Sequence, residues 1–229
     1  MLNKKQSNSS ILFLIDWDDT VFPTHFLRCA NLLSGTIQEM VGRPLPALSP
    51  GISAGLRALE AATTALISRA SGLGKVVFVT NSSSHWIPFT ARKFFPQLAD
   101  LLEDFECHSA RPAAVEAALA AREGVTYVPS MGTEWKKTTF RRLAGNFENF
   151  VSIGDGLAER CAVLALAPRK SAKAVRFDPQ PSLELMIDQI LVLTACLADI
   201  VNISGSGDVL LFADASFKLV PDNENLYDN

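Results

Sequence analysis

The sequence predicts an α/β fold, a Rossmann-like parallel sheet with helices on both faces. Short runs rich in Val, Ile and Phe recur along the chain, bounded by turn residues. The runs are continuously apolar instead of alternating, as in strands buried on both sides. Helical patterns fill the intervals between them, as parallel strands require of their crossovers.

The first run, ILFLID (11–16), opens the sheet, and HFLRCANLLSGTIQEMVG (25–42) has room for one helix before a Pro-rich connection. RALEAATTALISRA (57–70) reads as a crossover helix, closed by Ser71-Gly72 and Gly74. KVVFVT (75–80) and FECHSA (105–110) are the next strands, followed by helical PAAVEAALAAREG (112–124) and KTTFRRLAG (137–145). FVSIGD (150–155), helical LAERCAVLALA (157–167) and KAVRF (173–177) continue the alternation. A long helix within 183–203 and an edge strand, DVLLFAD (208–214), are expected to close the core or form a dimer face. One domain over 1–229 is expected, with 1–9 and about 220–229 disordered by composition.

Apolar residues make up 48% and charged residues 20%, with a net charge of −3. The acidic balance disfavours a nucleic-acid partner, since phosphate-tracking surfaces carry a basic excess. The most apolar long stretch contains Glu184, Asp188 and Asp199, so a packed helix is expected and no membrane span. The four cysteines form no CxxC pair and read as buried free thiols. The polar start MLNKKQSNSS lacks an apolar export region, which puts the expected location in the cytoplasm.

In open parallel sheets ligands bind beyond the carboxyl ends of the strands. Three strand ends stand out: Asp16-Trp17-Asp18-Asp19-Thr20, Thr80-Asn81-Ser82-Ser83 and Gly154-Asp155-Gly156. Asp16, Asp18 and Asp19 repel one another, and carboxylates at the edge of a core are costly unless paired or metal-bound. Together these groups suit phosphoryl transfer. Asp16 could attack phosphorus, and Asp18 could protonate the leaving oxygen and then take a proton from water. Thr80 and Asn81 could hold phosphate oxygens, and a lysine at a helix start, Lys136 or Lys137, could neutralise their charge. Asp155, with Glu159, could hold Mg²⁺, which takes oxygen ligands and would offset the acidic cluster.

These residues resemble the haloacid dehalogenase superfamily. The DWDDT segment (16–20) is similar to its DxDxT motif, with Thr20 in the supporting position. FVTN (78–81) resembles its second motif, Lys136 in EWKKTTF its third-motif lysine, and GDGLAE (154–159) its fourth, GDxxx(D/E). The resemblance spans 11–160 and implies a core of that type. It also implies a Mg²⁺-dependent phosphatase in which Asp16, the Asp18 backbone carbonyl and Asp155 hold the metal. Members that displace halide lack the second aspartate, so Asp18 points to phosphoryl chemistry. Glu159 stands where the family often has Asp, and reaches the metal through water or orients Lys136. Asp19 is expected to cap the turn or stay solvated, and Trp17 to pack beside the loop.

Such phosphatases usually select substrates through an inserted cap, for which residues 21–74 leave little room beyond the crossover helix. A minimal cap or flap over 21–50, or none, is therefore expected, with segment 25–42 a lid or simply core packing. An open site suits a bulky phosphorylated substrate such as a phosphoprotein. The alternatives are a phosphotransferase or mutase, or a binding module that keeps the fold without turnover. His25, and His85 with Trp86, are candidates for the site entrance, more readily read as surface residues, and His108 as a packed strand residue.

Overall fold

The protein is described from a computed structural model covering residues 10–35, 37–121, 128–167 and 170–221. Of the segments expected to be disordered, 1–9 and about 220–229, residues 1–9 and 222–229 lie outside the described residues. Val220 does not belong with them. It is 1% exposed and lies in the last strand.

The strands are β1 (Ile11–Ile15), β2 (Lys75–Thr80), β3 (Glu106–Ser109), β4 (Asn149–Gly154), β5 (Ser171–Arg176), β6 (Gly207–Leu211) and β7 (Phe217–Pro221). They form one sheet in the order β3-β2-β1-β4-β5-β6-β7, parallel except for the antiparallel β6–β7 pair. The expected Rossmann-like α/β fold is therefore observed. DVLLFAD is not an edge strand, because β7 pairs along it, Leu211 opposite Phe217.

Alternation along β1 divides the core. Phe13 and Ile15 face one layer, with α3 (Pro50–Leu73), α4 (Trp86–Phe94), α5 (Pro96–Leu102) and α9 (Leu183–Asn202). Leu12 and Leu14 face the other, with α7 (Pro129–Ala144) and α8 (Leu157–Leu164). The short helices α1 (Thr24–Cys29) and α2 (Ile37–Met40) replace the single helix expected over 25–42. Their Leu27 and Met40, with Leu33 between them, are buried against the first layer. Helix α6 (Ala113–Ala120) has no buried residue.

Helix α3 starts seven residues before the predicted boundary. Ser49 caps it, accepting a hydrogen bond from the Ile52 N–H at 3.3 Å, and Pro50 occupies the first turn. It ends at Gly74, where a Cβ would lie 2.7 Å from the Ile11 carbonyl oxygen. The turn into β2 thus depends on a missing side chain.

One crossover departs from the right-handed rule for parallel strands. The β4–α8–β5 and β5–α9–β6 connections move the same way across the sheet, yet α8 and α9 lie on opposite faces. The two connections therefore have opposite hands. With α7 and α8 both on one side, Val151, Ile153 and Val175 would be bare on the other, and α9 covers them beside α3. Among the described residues no helix is long and apolar enough to cross a membrane. The cysteines are free, but only Cys196 is buried and Cys29 is exposed.

Candidate active site

The chain leaves β1 for β2 and β3 on one side and returns to β4 on the other, so the strand order reverses between β1 and β4. That reversal opens a crevice beyond the strand ends. Asp16 follows β1 there and its N–H continues the ladder to the Ile153 carbonyl at 2.9 Å. Asp155 follows β4. A cleft of about 530 Å³ is lined by Asp16, Asp18, Asn81, Lys136, Asp155 and Glu159, among others.

The loop after Asp16 is tight because the Trp17 carbonyl accepts from the N–H groups of Thr20, Val21 and Phe22. Trp17 is fully buried, stacked on Phe22 at 5.5 Å, and its indole donates to Thr90 Oγ1 at 2.9 Å. Asp19 takes a left-handed φ of 55° and accepts the His25 N–H at 2.7 Å, so it caps the turn into α1. Thr20, fully buried, accepts the Asp155 N–H at 3.1 Å and ties the β1 loop to the β4 end.

Lys136 is 1% exposed, with Nζ 2.5 Å from Asp16 Oδ1 and also bonded to Glu159 Oε1. Lys137 pairs with Glu134 at the surface, so the choice between the two lysines falls on Lys136. It does not lie at a helix start: α7 begins at Pro129, two turns earlier. Glu159 approaches the β4 end closely, and a Cβ on Gly154 would lie 2.5 Å from its Cγ. The glycine of the GD pair is what admits the glutamate beside Lys136.

Asp16, Asp155 and Glu159 each offer a carboxylate oxygen, all within 4.8 Å of one another, a cluster that could hold a metal ion. The side chain of Asp18 is not part of it. Burial pushes the Asp16 carboxyl well up, partly offset by Lys136 and reinforced by Glu159, Asp155 and Asp18. Asp155 is raised to about 7 by burial, then by Glu159 and Asp19. Burial alone would lower the Lys136 ammonium, but Asp16 and Glu159 outweigh it and the pKa is raised. Three carboxylates around one lysine leave uncompensated negative charge, and hard oxygen donors in that number fit a divalent cation such as Mg²⁺.

Asp18 occupies a separate niche. Its Oδ1 accepts from Thr24 Oγ1 at 2.5 Å and the Trp86 indole at 2.7 Å. Its Oδ2 accepts from Thr80 Oγ1 at 3.0 Å and Ser82 Oγ at 3.3 Å. Thr80 is 1% exposed and also accepts the Ser82 N–H at 3.0 Å, so its hydroxyl is engaged within the protein. Asn81 lines the cleft, and its buried Oδ1 has no hydrogen-bond partner among the described residues.

Sequence reasoning gave no role to Thr24 or Ser82 and placed Trp86 only at the entrance beside His85, whereas it is buried and bonded to Asp18. Ser82 lies in one of the three strand-end segments, and Thr24 had no signal beyond lying near one. His85 is exposed before α4 and does not line the cleft; the His25 ring contacts Cys29 Sγ at 3.4 Å. His108, expected to be packed, is only partly buried and meets Glu106 at 3.1 Å, because β3 is an edge strand. Comparison with known proteins yields no match to a family model, a curated protein or a solved structure.

Proposed function

We propose that the protein is a Mg²⁺-dependent phosphatase that hydrolyses a phosphomonoester through an aspartyl-phosphate on Asp16, as in haloacid dehalogenase-type enzymes. One observation carries the reading. A buried lysine holds Asp16, itself a member of the acidic cluster, at the cleft, and a second carboxylate, Asp18, lines the same cleft. Lys136 binds Oδ1 of Asp16, which leaves Oδ2 to attack phosphorus. Asp18 gives a proton to the leaving oxygen, then takes one from the water that releases phosphate. Lys136 and Asn81 face the phosphoryl oxygens. Asp16, Asp155 and the Asp18 carbonyl would hold Mg²⁺, with Glu159 behind them steadying Lys136. The metal supplies charge stabilisation for the transferring group. Among the described residues none of 25–42 lines the cleft, which favours a bulky substrate, such as a phosphoprotein, over one enclosed by a lid.

The test is phosphate release from a broad panel of phosphoesters, phosphopeptides included, with Mg²⁺ or EDTA. Release is expected to require both Mg²⁺ and Asp16, with Asp16→Asn folded but inactive. An Asp16→Asn protein as active as wild type overturns the assignment.

A further inference from the structure

We infer that Trp86 is a positioning residue for proton transfer by Asp18, its indole fixing one oxygen of the carboxylate so that the other carries the proton. The inference rests on the phosphatase reading and deepens it. Trp86 is 6% exposed at the first position of α4, and its Nε1 lies 2.7 Å from Asp18 Oδ1. Thr24 reaches the same oxygen from α1 at 2.5 Å, while Thr80 and Ser82 serve Oδ2 from the end of β2.

The four donors are not equivalent. A hydroxyl can turn and accept, but an indole N–H can only donate. Trp86 therefore keeps Oδ1 an acceptor in every state of the site. A proton on Asp18 belongs on Oδ2, where Thr80 and Ser82 can reverse their hydroxyls to accommodate it. When the bond from phosphorus to the leaving oxygen breaks, the Oδ2 proton goes to that oxygen. When water attacks the aspartyl-phosphate, its proton returns to Oδ2 and the bond from phosphorus to Asp16 breaks. The lever is long in sequence: Trp86 is fixed by α4, whose Thr90 accepts the Trp17 indole N–H from the Asp16 loop. The same helix thus holds the loop at two points.

The test is Trp86→Phe, which keeps an aromatic ring and removes the donor, assayed on phosphoesters of differing leaving-group acidity. An alkyl phosphate needs the proton and 4-nitrophenyl phosphate needs it little. Expected is a loss in kcat/KM, which reports the transfer to Asp16 and not the later water step common to both esters, of roughly ten-fold or more on the alkyl ester, a part of what a general acid supplies. Loss in kcat/KM on the nitrophenyl ester should be less than about two-fold. An equal fall on both esters, or none on either, overturns the positioning role. A second readout needs no turnover: the Trp86 indole N–H resonance, assigned by elimination with Trp17→Phe and Trp135→Phe, should move upfield in Asp18→Asn. The Trp17 indole, bonded to Thr90, serves as the control. An unmoved Trp86 signal also overturns the inference. Failure of the phosphatase reading looks different: wild type itself then releases no phosphate that depends on Asp16.

Discussion

Lys136 carries more of the site than its chain position suggests. It is sealed from solvent between Asp16 and Glu159, and removing one member of a buried ion cluster leaves the others uncompensated. Lys136→Met should therefore abolish phosphate release and cost about 3–5 kcal/mol of stability, read as a lower urea midpoint at unchanged slope. Asp16 and Asp155 act in the opposite sense. Both carboxyls have folded pKa values raised above the ordinary range, Asp155 to about 7 from 3.8. A raised folded pKa means the native state binds the extra proton, so for Asp155 this stabilisation is full below about pH 4 and is lost as pH rises through about 7, and Asp16 acts in the same direction. Without metal, Asp155 should make the protein progressively less stable between those limits. Mg²⁺ competes with the same protons, so the rise in Tm it produces should grow from pH 5 to pH 8. A Mg²⁺ effect independent of pH would refute this account of the cluster.

At the scale of elements, two helices open on prolines and a third runs beyond its apolar pattern. Pro88 falls in the first turn of α4 and Pro96 at the start of α5, where proline is tolerated, so neither interrupts its helix. Helix α5 also has a cap from outside. Glu60 of α3, 6% exposed, accepts the N–H groups of Gln97 and Leu98 at 2.8 and 2.9 Å. Glu60→Ala would strand both donors and should cost about 2–4 kcal/mol, with Glu60→Gln recovering part of the loss; chemical denaturation measures both. The start of α7, PSMGTEW, shows no apolar period, yet it is helical because Gly132 and Lys136 are buried as the helix packs against α8. No local signal reports that contact.

Across the whole molecule the far side of the sheet is secured by charge. Asp208 of β6, 1% exposed, is gripped by Arg160 of α8, with Nε to Oδ1 and the terminal nitrogen to Oδ2 both at 2.7 Å. Arg160 directly follows Glu159, so the helix that steadies Lys136 is itself anchored to β6. Asp208→Ala should lower stability by about 3–5 kcal/mol. It should also reduce phosphate release more than a change in an exposed ion pair such as Glu134→Gln, tested by melting and by assay. A stable but slow Asp208 variant would show that the anchor serves the site more than the fold.

The sequence by itself determined the α/β class, where along the chain the first five strands fall and which strand ends carry carboxylates, because burial on both faces imposes continuous apolar runs and leaves polar residues to end them. Asp16, Asp18 and Asp155 were legible for that reason, as was a lysine at 136 or 137. Only the tertiary structure decided which lysine enters, since 136 and 137 differ by about 100° around α7 and one alone can face Asp16. It also decided that Glu159 grips that lysine and that Trp86 and Thr24 close on Asp18. These contacts join residues from different elements, and their energies depend on distance and burial, which no local run of residues encodes. The opposite-handed α9 crossover has the same origin: a bare sheet face had to be covered, and only the finished packing shows which face that was.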